Sequence, residues 1–317
     1  MKVQSILWVS KEAIVTGFFF LSLAACDTMN IPAGGTAGSL KDTSASPTSD
    51  DKPSDVSPSK LASLGNQQYN KEIEERQKNN EIETSTKVTG QMDGIFEQLK
   101  AAALIDEEYG SVAKEMDWRL NTIRDKTIVM AKAYPGGGVA IYDGVFDVAE
   151  TEGALASILG HEMAHVLAQH ELKRLAGHTA VAGATLGSAI ALAMKPKKRE
   201  QQVAAGVTGA LALGYLLGGR QAWERSQEHD ADCLGLRLAA KAGYDPKKIE
   251  GFWRRMAENK EEANTKYQFL NDHPIDDERL GHIQNTCMSK AQEVYSQVDI
   301  NLRKDALATL PGVGFEG

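Results

Sequence analysis

The chain has 317 residues, 42% of them apolar, enough for one ordinary domain with a real core. Its formal charge of -8 argues against a nucleic-acid partner, because phosphate binding needs a basic surface. There is no Cys-x-x-Cys pair, which excludes cysteine-built zinc sites and dithiol redox motifs.

Residues 1–25 have the character of a secretory signal. Lys2 and Lys11 give a basic start, and residues 13–25 are uncharged and largely apolar. That run is shorter than the roughly 20 residues a spanning helix needs. It ends Leu23-Ala24-Ala25-Cys26, which resembles a bacterial lipobox, with Cys26 as the lipidated first residue of the mature chain. The alternative is a plain signal cut at an Ala-x-Ala-like site. Asp27, by the pattern of enterobacterial lipoproteins, favours the inner over the outer membrane. Residues 26–60 are rich in Ser, Thr, Pro, Asp and Gly, a composition that cannot bury enough surface to order itself. As a flexible tether, about 35 such residues span on the order of 30 Å.

Residues 61–296 form the expected folded domain, and 297–317 a tail. Residues 61–115 are helical in pattern, with Val88, Met92, Ile95, Phe96 and Leu99 at three- and four-residue spacing. The period then changes: residues 118–120 and 128–130 are short strand-like runs, Tyr134-Pro135-Gly136-Gly137-Gly138 is a turn, and residues 139–146 have strand character up to Asp143-Gly144. A small sheet beside helices predicts an α+β domain. Residues 151–175 read as a long helix introduced by Thr151 and Glu152. Two uncharged Ala/Gly-rich runs follow, 179–194 and 203–219, separated by Lys195-Pro196-Lys197-Lys198-Arg199. Gly183 with Gly187, and Gly214 with Gly218, would let helices approach closely, either in a soluble pair or in a hairpin crossing the membrane. Residues 221–242 predict a further helix, stopped by Gly243 and Asp245-Pro246.

His161-Glu162-Met163-Ala164-His165 is H-E-x-x-H on a helix. Residues four apart share a face, so both imidazoles can converge on one ion, while Glu162 sits beside it as a general base. From this composition the three fixed residues would match by accident in roughly one chain in a hundred. Two histidines leave a catalytic zinc one protein ligand short. The metzincin continuation fails, since position 168 is Ala, 171 is Glu, and His170 falls one residue early. Glu228-His229-Asp230-Ala231-Asp232 offers the alternative, E-x-x-A-D: Glu228 as ligand, and Asp232 one turn on to fix the tautomer of a ligand histidine. His229 competes, but points about 100° away around its helix.

These residues, together with Tyr134-Pro135-Gly136-Gly137 and His273-Pro274 followed by Arg279-Leu280, carry a resemblance to the zinc metallopeptidase family that contains HtpX, the Oma-type mitochondrial protease, the CAAX prenyl proteases and the envelope lipoproteins LoiP and BepA. The resemblance spans about residues 65–288. It implies a mostly helical, zincin-like α+β fold, one Zn2+ per chain held by His161, His165 and Glu228, and hydrolysis of protein or peptide substrates, misfolded or misassembled envelope proteins among them. It also implies a substrate-pairing edge strand, for which residues 139–142 are the candidate. The family's Asn-Ala before Pro-Gly-Gly is replaced here by Met130-Ala131 or Lys132-Ala133. His273 matches a position near the cleft, where it could donate to the oxyanion or bind zinc and exclude water. Arg279 could pair with an acidic group there. Cys233 and Cys287 remain after Cys26, and an oxidising compartment favours a bridge between them. A non-hydrolytic envelope chaperone with a latent metal site is the competing reading.

Overall fold

A computed structural model describes residues 57–177, 220–258 and 267–302. The signal, Cys26, most of the tether, the Ala/Gly runs at 179–219 and the chain beyond residue 302 lie outside the described residues. Among the described residues no helix is long and apolar enough to cross a membrane.

The helical pattern from residue 61 onward resolves into three helices. Helix α1 (Pro58–Lys78) starts earlier than its apolar spacing implies, because Ser57 caps it and Pro58 suits the first turn. Asn80, at φ 57°, ends that run, and residues 81–83 then pair with the first strand instead. Helix α2 (Thr86–Leu104) follows, its apolar face Met92, Ile95, Phe96 and Leu99 wholly buried. Asp106 interrupts before α3 (Gly110–Glu115): its carboxylate accepts from the Glu108 and Tyr109 N–H groups and pairs with Lys241 and Arg237.

Three strands come next, β1 (Arg119–Ile123), β2 (Ala131–Ala133) and β3 (Gly138–Tyr142), in the order β1-β3-β2. β1 runs parallel and β2 antiparallel to β3. Residues 139–142 are therefore the centre of the sheet, and the expectation that they form the substrate-pairing edge is overturned. A strand buried along its whole length and hydrogen-bonded on both sides has no free main-chain groups to offer. The edge facing the rest of the domain is β2, which begins just after the apolar run at 128–130.

The sheet lies between two layers. On one face α1 packs through Tyr69 and Ile73 against Ile123, Tyr134, Ala140 and Tyr142. On the other lies the main core, centred on α5 (Glu152–Leu167), which follows the short α4 (Phe146–Ala149). Thr151 caps α5, its hydroxyl accepting from the Ala154 N–H at 3.2 Å. All of α5 except Glu152 and His165 is buried, because α2, β2, α6 (Arg220–Lys241) and α7 (Pro246–Glu258) surround it. The chain closes with α8 (Gln268–Asp272), α9 (Asp277–His282), a π-turn at Ile283–Cys287 and α10 (Met288–Gln297).

α5 and α6 meet backbone to backbone at Gly160 and Gly235. A Cβ on Gly235 would stand 2.6 Å from the His161 nitrogen, and one on Gly160 would stand 2.7 Å from the Gly235 carbonyl oxygen. Neither obstacle is a flexible side chain, so the helices themselves must separate. Gly235→Ala is expected to cost about 1–3 kcal/mol as overpacking. It is also expected to loosen metal binding, as read by thermal unfolding and chelator competition; an unchanged melting curve and metal affinity would show the contact to be dispensable.

Candidate metal centre

The contact between α5 and α6 sets the site. His161 and His165 point from one face of α5, with their Nε2 atoms 3.1 Å apart. Glu228, from α6, places Oε2 3.4 Å from His161 Nε2 and Oε1 3.5 Å from His165 Nε2. Ligand atoms held at about 2.0–2.1 Å by one tetrahedral ion stand roughly 3.3 Å from one another. The three separations fit that figure, so a single ion suits these residues. His273, at the end of α8, adds a fourth donor: its Nδ1 lies 3.2 Å from His161 Nε2 and 3.0 Å from Glu228 Oε2. All four donor atoms fall within 4.8 Å of one another. His229 is elsewhere, its ring stacked on His282 at 4.1 Å.

Around these donors stands a ring of supports. Asp232 Oδ1 lies 3.0 Å from His161 Nδ1, so the ring's second nitrogen faces a buried carboxylate and Nε2 is turned toward the cluster. His170 Nδ1 lies 3.0 Å from His165 Nδ1. The spacing of His170 after His165 suggests no such contact. It arises because the chain turns at Gln169, at φ 54°, before resuming a helix over residues 170–177. Trp253 and Phe269 wall the His161 ring at 6.1 and 6.0 Å, contacts that no pattern in the sequence marks.

Arg279 is the member the sequence only half discloses. It is 1% exposed, and its Nε and Nη2 donate to the two Asp232 oxygens at 2.8 Å each. Its Nη1 reaches Glu228 Oε2 at 2.9 Å and the Pro274 carbonyl at 3.0 Å. One guanidinium thus binds the ligand carboxylate, the support of His161 and the segment bearing His273.

Glu162 reaches toward the sheet with one carboxylate oxygen and toward His273 with the other. The Ala133 N–H donates to its Oε2 at 2.9 Å, while Oε1 is buried without a hydrogen bond and lies 3.3 Å from His273 Nε2. Of the two pairs before Pro-Gly-Gly, Lys132-Ala133 is therefore the one beside Glu162. Burial pushes the Glu162 carboxyl above its usual range, as a proton acceptor near neutrality requires. Burial alone would raise Glu228 and Asp232 as well. His273 and His161 outweigh it at Glu228, and Arg279 and His161 at Asp232, so both carboxylates sit below their usual range. Burial, with His161 and His273 close by, holds His165 well below the ordinary imidazole value. Burial also opposes charge on His161, yet Asp232 and Glu228 raise it to about 9. Two ionised carboxylates against one arginine leave the pocket in need of positive charge, and a divalent cation on neutral imidazoles supplies it as well as a proton does.

Cys233, the residue after Asp232, is joined to Cys287 by a disulfide. It fastens α6 to the π-turn below Arg279's helix.

A helix carrying two histidines and a buried glutamate, met by a glutamate from a second helix, is an arrangement that suits a metal-dependent peptidase. The chain belongs to peptidase family M48, which matches residues 95–287. It is 28% identical over 217 residues to the mitochondrial metalloendopeptidase OMA1 of Saccharomyces cerevisiae, covering 66% of this chain and 58% of that protein. It is 31% identical over 162 residues to the putative beta-barrel assembly-enhancing protease of Vibrio cholerae, covering 50% and 32%. With the beta-barrel assembly-enhancing protease of Escherichia coli the figures are 26% over 180 residues, 56% and 36%. The chain thus spans between about a third and three fifths of these relatives.

Arg279→Lys keeps a charge but loses the planar fork. It is expected to weaken metal binding about 10–100-fold, as removal of such supports does elsewhere. Competition against a fluorescent zinc chelator reads this directly; unaltered affinity would reduce Arg279 to a core ion pair.

Proposed function

We propose that this chain is a zinc-dependent endopeptidase of the bacterial envelope, held at a membrane by lipid on Cys26, with residues 61–296 as its catalytic domain. The observation that carries the catalytic part is the near-tetrahedral set of His161, His165 and Glu228 beside a buried Glu162. Donors that mix imidazole and carboxylate favour zinc. Bound there, zinc supplies a Lewis acid for the scissile carbonyl and an activated water. Glu162 accepts the proton from the attacking nucleophile and returns it to the leaving amine, steadied by the Ala133 N–H. Asp232 and Arg279 keep His161 and Glu228 aimed. The lipobox-like Leu23-Ala24-Ala25-Cys26 supports the membrane attachment, and Asp27 supports the inner membrane. The names of the relatives, an endopeptidase and proteases that enhance β-barrel assembly, support protein substrates, and misassembled envelope proteins fit that class.

Two variants test this reading. Glu162→Gln is expected to retain the metal and lose casein cleavage by at least about 100-fold, the scale of general-base catalysis. Glu228→Ala is expected to lose both metal and cleavage. Cleavage that survives the first change, or full metal content after the second, would remove the residue concerned from its role. A wild type that prevents aggregation yet cleaves nothing would favour a chaperone-like factor.

His273 admits two roles, and its geometry favours one. Nδ1 stands where a fourth ligand would, and Nε2 stands against Glu162 Oε1, so the ring occupies the space a nucleophile needs. In this arrangement His273 closes the site; swung outward, it would be free to donate to an oxyanion. His273→Ala is expected to raise the rate of casein cleavage several-fold in a discontinuous assay. A fall of tenfold or more would assign it to transition-state stabilisation instead.

A further inference from the structure

The register of β2 fixes which way its groups face. Tyr134 N donates to Gly138 O, and Tyr142 N donates to Met130 O. Hydrogen-bonded pairs recur every second residue, so the main-chain groups of Lys132, opposite Ala140, also face β3. Those of Ala131 and Ala133 face outward, and the Ala133 N–H is the one that meets Glu162. A peptide adding to this edge would lie alongside the general base. Its side chains would alternate: those level with Ala131 and Ala133 fall on the α5 side, and the one level with Lys132 falls on the α1 side.

On the α1 side lies a groove of about 490 Å3, lined among others by Lys71, Glu72, Glu75, Arg76, Lys132 and Tyr134. Its inner charges are already matched. Glu72 accepts hydrogen bonds from the Tyr134 and Tyr142 hydroxyls and lies 4.0 Å from Arg76, whose Nη1 also pairs with Glu81 at 2.7 Å. Lys132 is exposed, with its ammonium 4.4 Å above the Tyr134 ring. Among the described residues neither Lys132 nor Lys71 has a carboxylate within ion-pair distance, and Glu75 is the one lining acid in the same condition. The groove's unpaired ammoniums, Lys71 and Lys132, thus outnumber its one unpaired carboxylate, Glu75, and Lys132 stands on the strand to which a substrate would add.

We propose that Lys132 is a specificity-determining residue: the ammonium at the mouth of this groove selects an acidic side chain on the substrate residue that pairs level with it. The proposal rests on the endopeptidase reading and adds a preference to it. A residue held one step from those facing the metal centre is close enough for its charge to bias which bond is presented. Tyr134 keeps the ammonium in place through its ring, so the cation is positioned before substrate arrives.

The test uses the zinc-loaded full chain carrying Glu162→Gln, which can bind substrate without consuming it. Fluorescent peptides of one neutral sequence, with Glu, Gln or Lys walked through each position, are titrated by anisotropy at low salt. At one position Glu is expected to bind about fivefold tighter than Lys, the scale of a partly exposed ion pair. Adding Lys132→Glu is expected to reverse that order, and Lys132→Gln to abolish it. The same peptides are then given to protein with Glu162 intact, where kcat/KM should follow the same order. Equal binding of all three peptides at every position, or a preference unmoved by Lys132→Glu, would overturn the proposal. Cleavage that persists in the Glu162→Gln protein would instead overturn the general-base reading and leave the charge preference standing.

Discussion

Two glycines placed face to face govern this domain. Gly160 and Gly235 let α5 and α6 touch without side chains between them. His161 follows the first glycine, and Asp232 and Glu228 precede the second by one and two turns. That close approach places a carboxylate from one helix within 3.5 Å of two imidazoles on the other. The grouping of His161, His165 and Glu228 is a short-range consequence of a packing choice made one residue away.

Bringing acids and bases together in a dry interior has an electrostatic cost, and Arg279 is how the fold meets it. Removing Asp232 and Glu228 from water is unfavourable unless each finds a partner. A fork that reaches both, and a carbonyl as well, satisfies three acceptors with one side chain. The same contacts fix the approach of the segment bearing His273. The placements of Glu228 and of the segment bearing His273 are therefore coupled through Arg279.

How much of this was legible beforehand depends on range. H-E-x-x-H and E-x-x-A-D are readable because residues four apart on a helix share a face whatever surrounds them. The meeting of Glu228 with His161 needed the resemblance to suggest it, since nothing local joins residues 67 apart. Strand order was misjudged for a physical reason. Residues 139–142 carry the strongest strand pattern because they are buried on both sides, and that burial is what makes them central. The true edge, Ala131–Ala133, is three residues long and carries an exposed lysine, so it shows no periodicity. His170 falls one residue early for the metzincin pattern, and the left-handed turn at Gln169 brings it beside His165 instead. Nothing in the sequence sets Gly160 and Gly235 apart from other helix glycines, as close approach leaves no mark in a single sequence.

The bridge between Cys233 and Cys287 closes a circuit of 54 residues. Cross-linking a loop of that size restricts the unfolded chain by about 4 kcal/mol. It also has a topological result. α7, His273 and Arg279 all lie inside the circuit, whereas Glu228 and both α5 histidines lie outside it. A protease that nicks itself or a neighbour anywhere along that stretch yields two polypeptides still joined by sulfur. Such a molecule would run as a single band until reduced, and the part bearing His161, His165 and Glu228 could not drift away from Arg279.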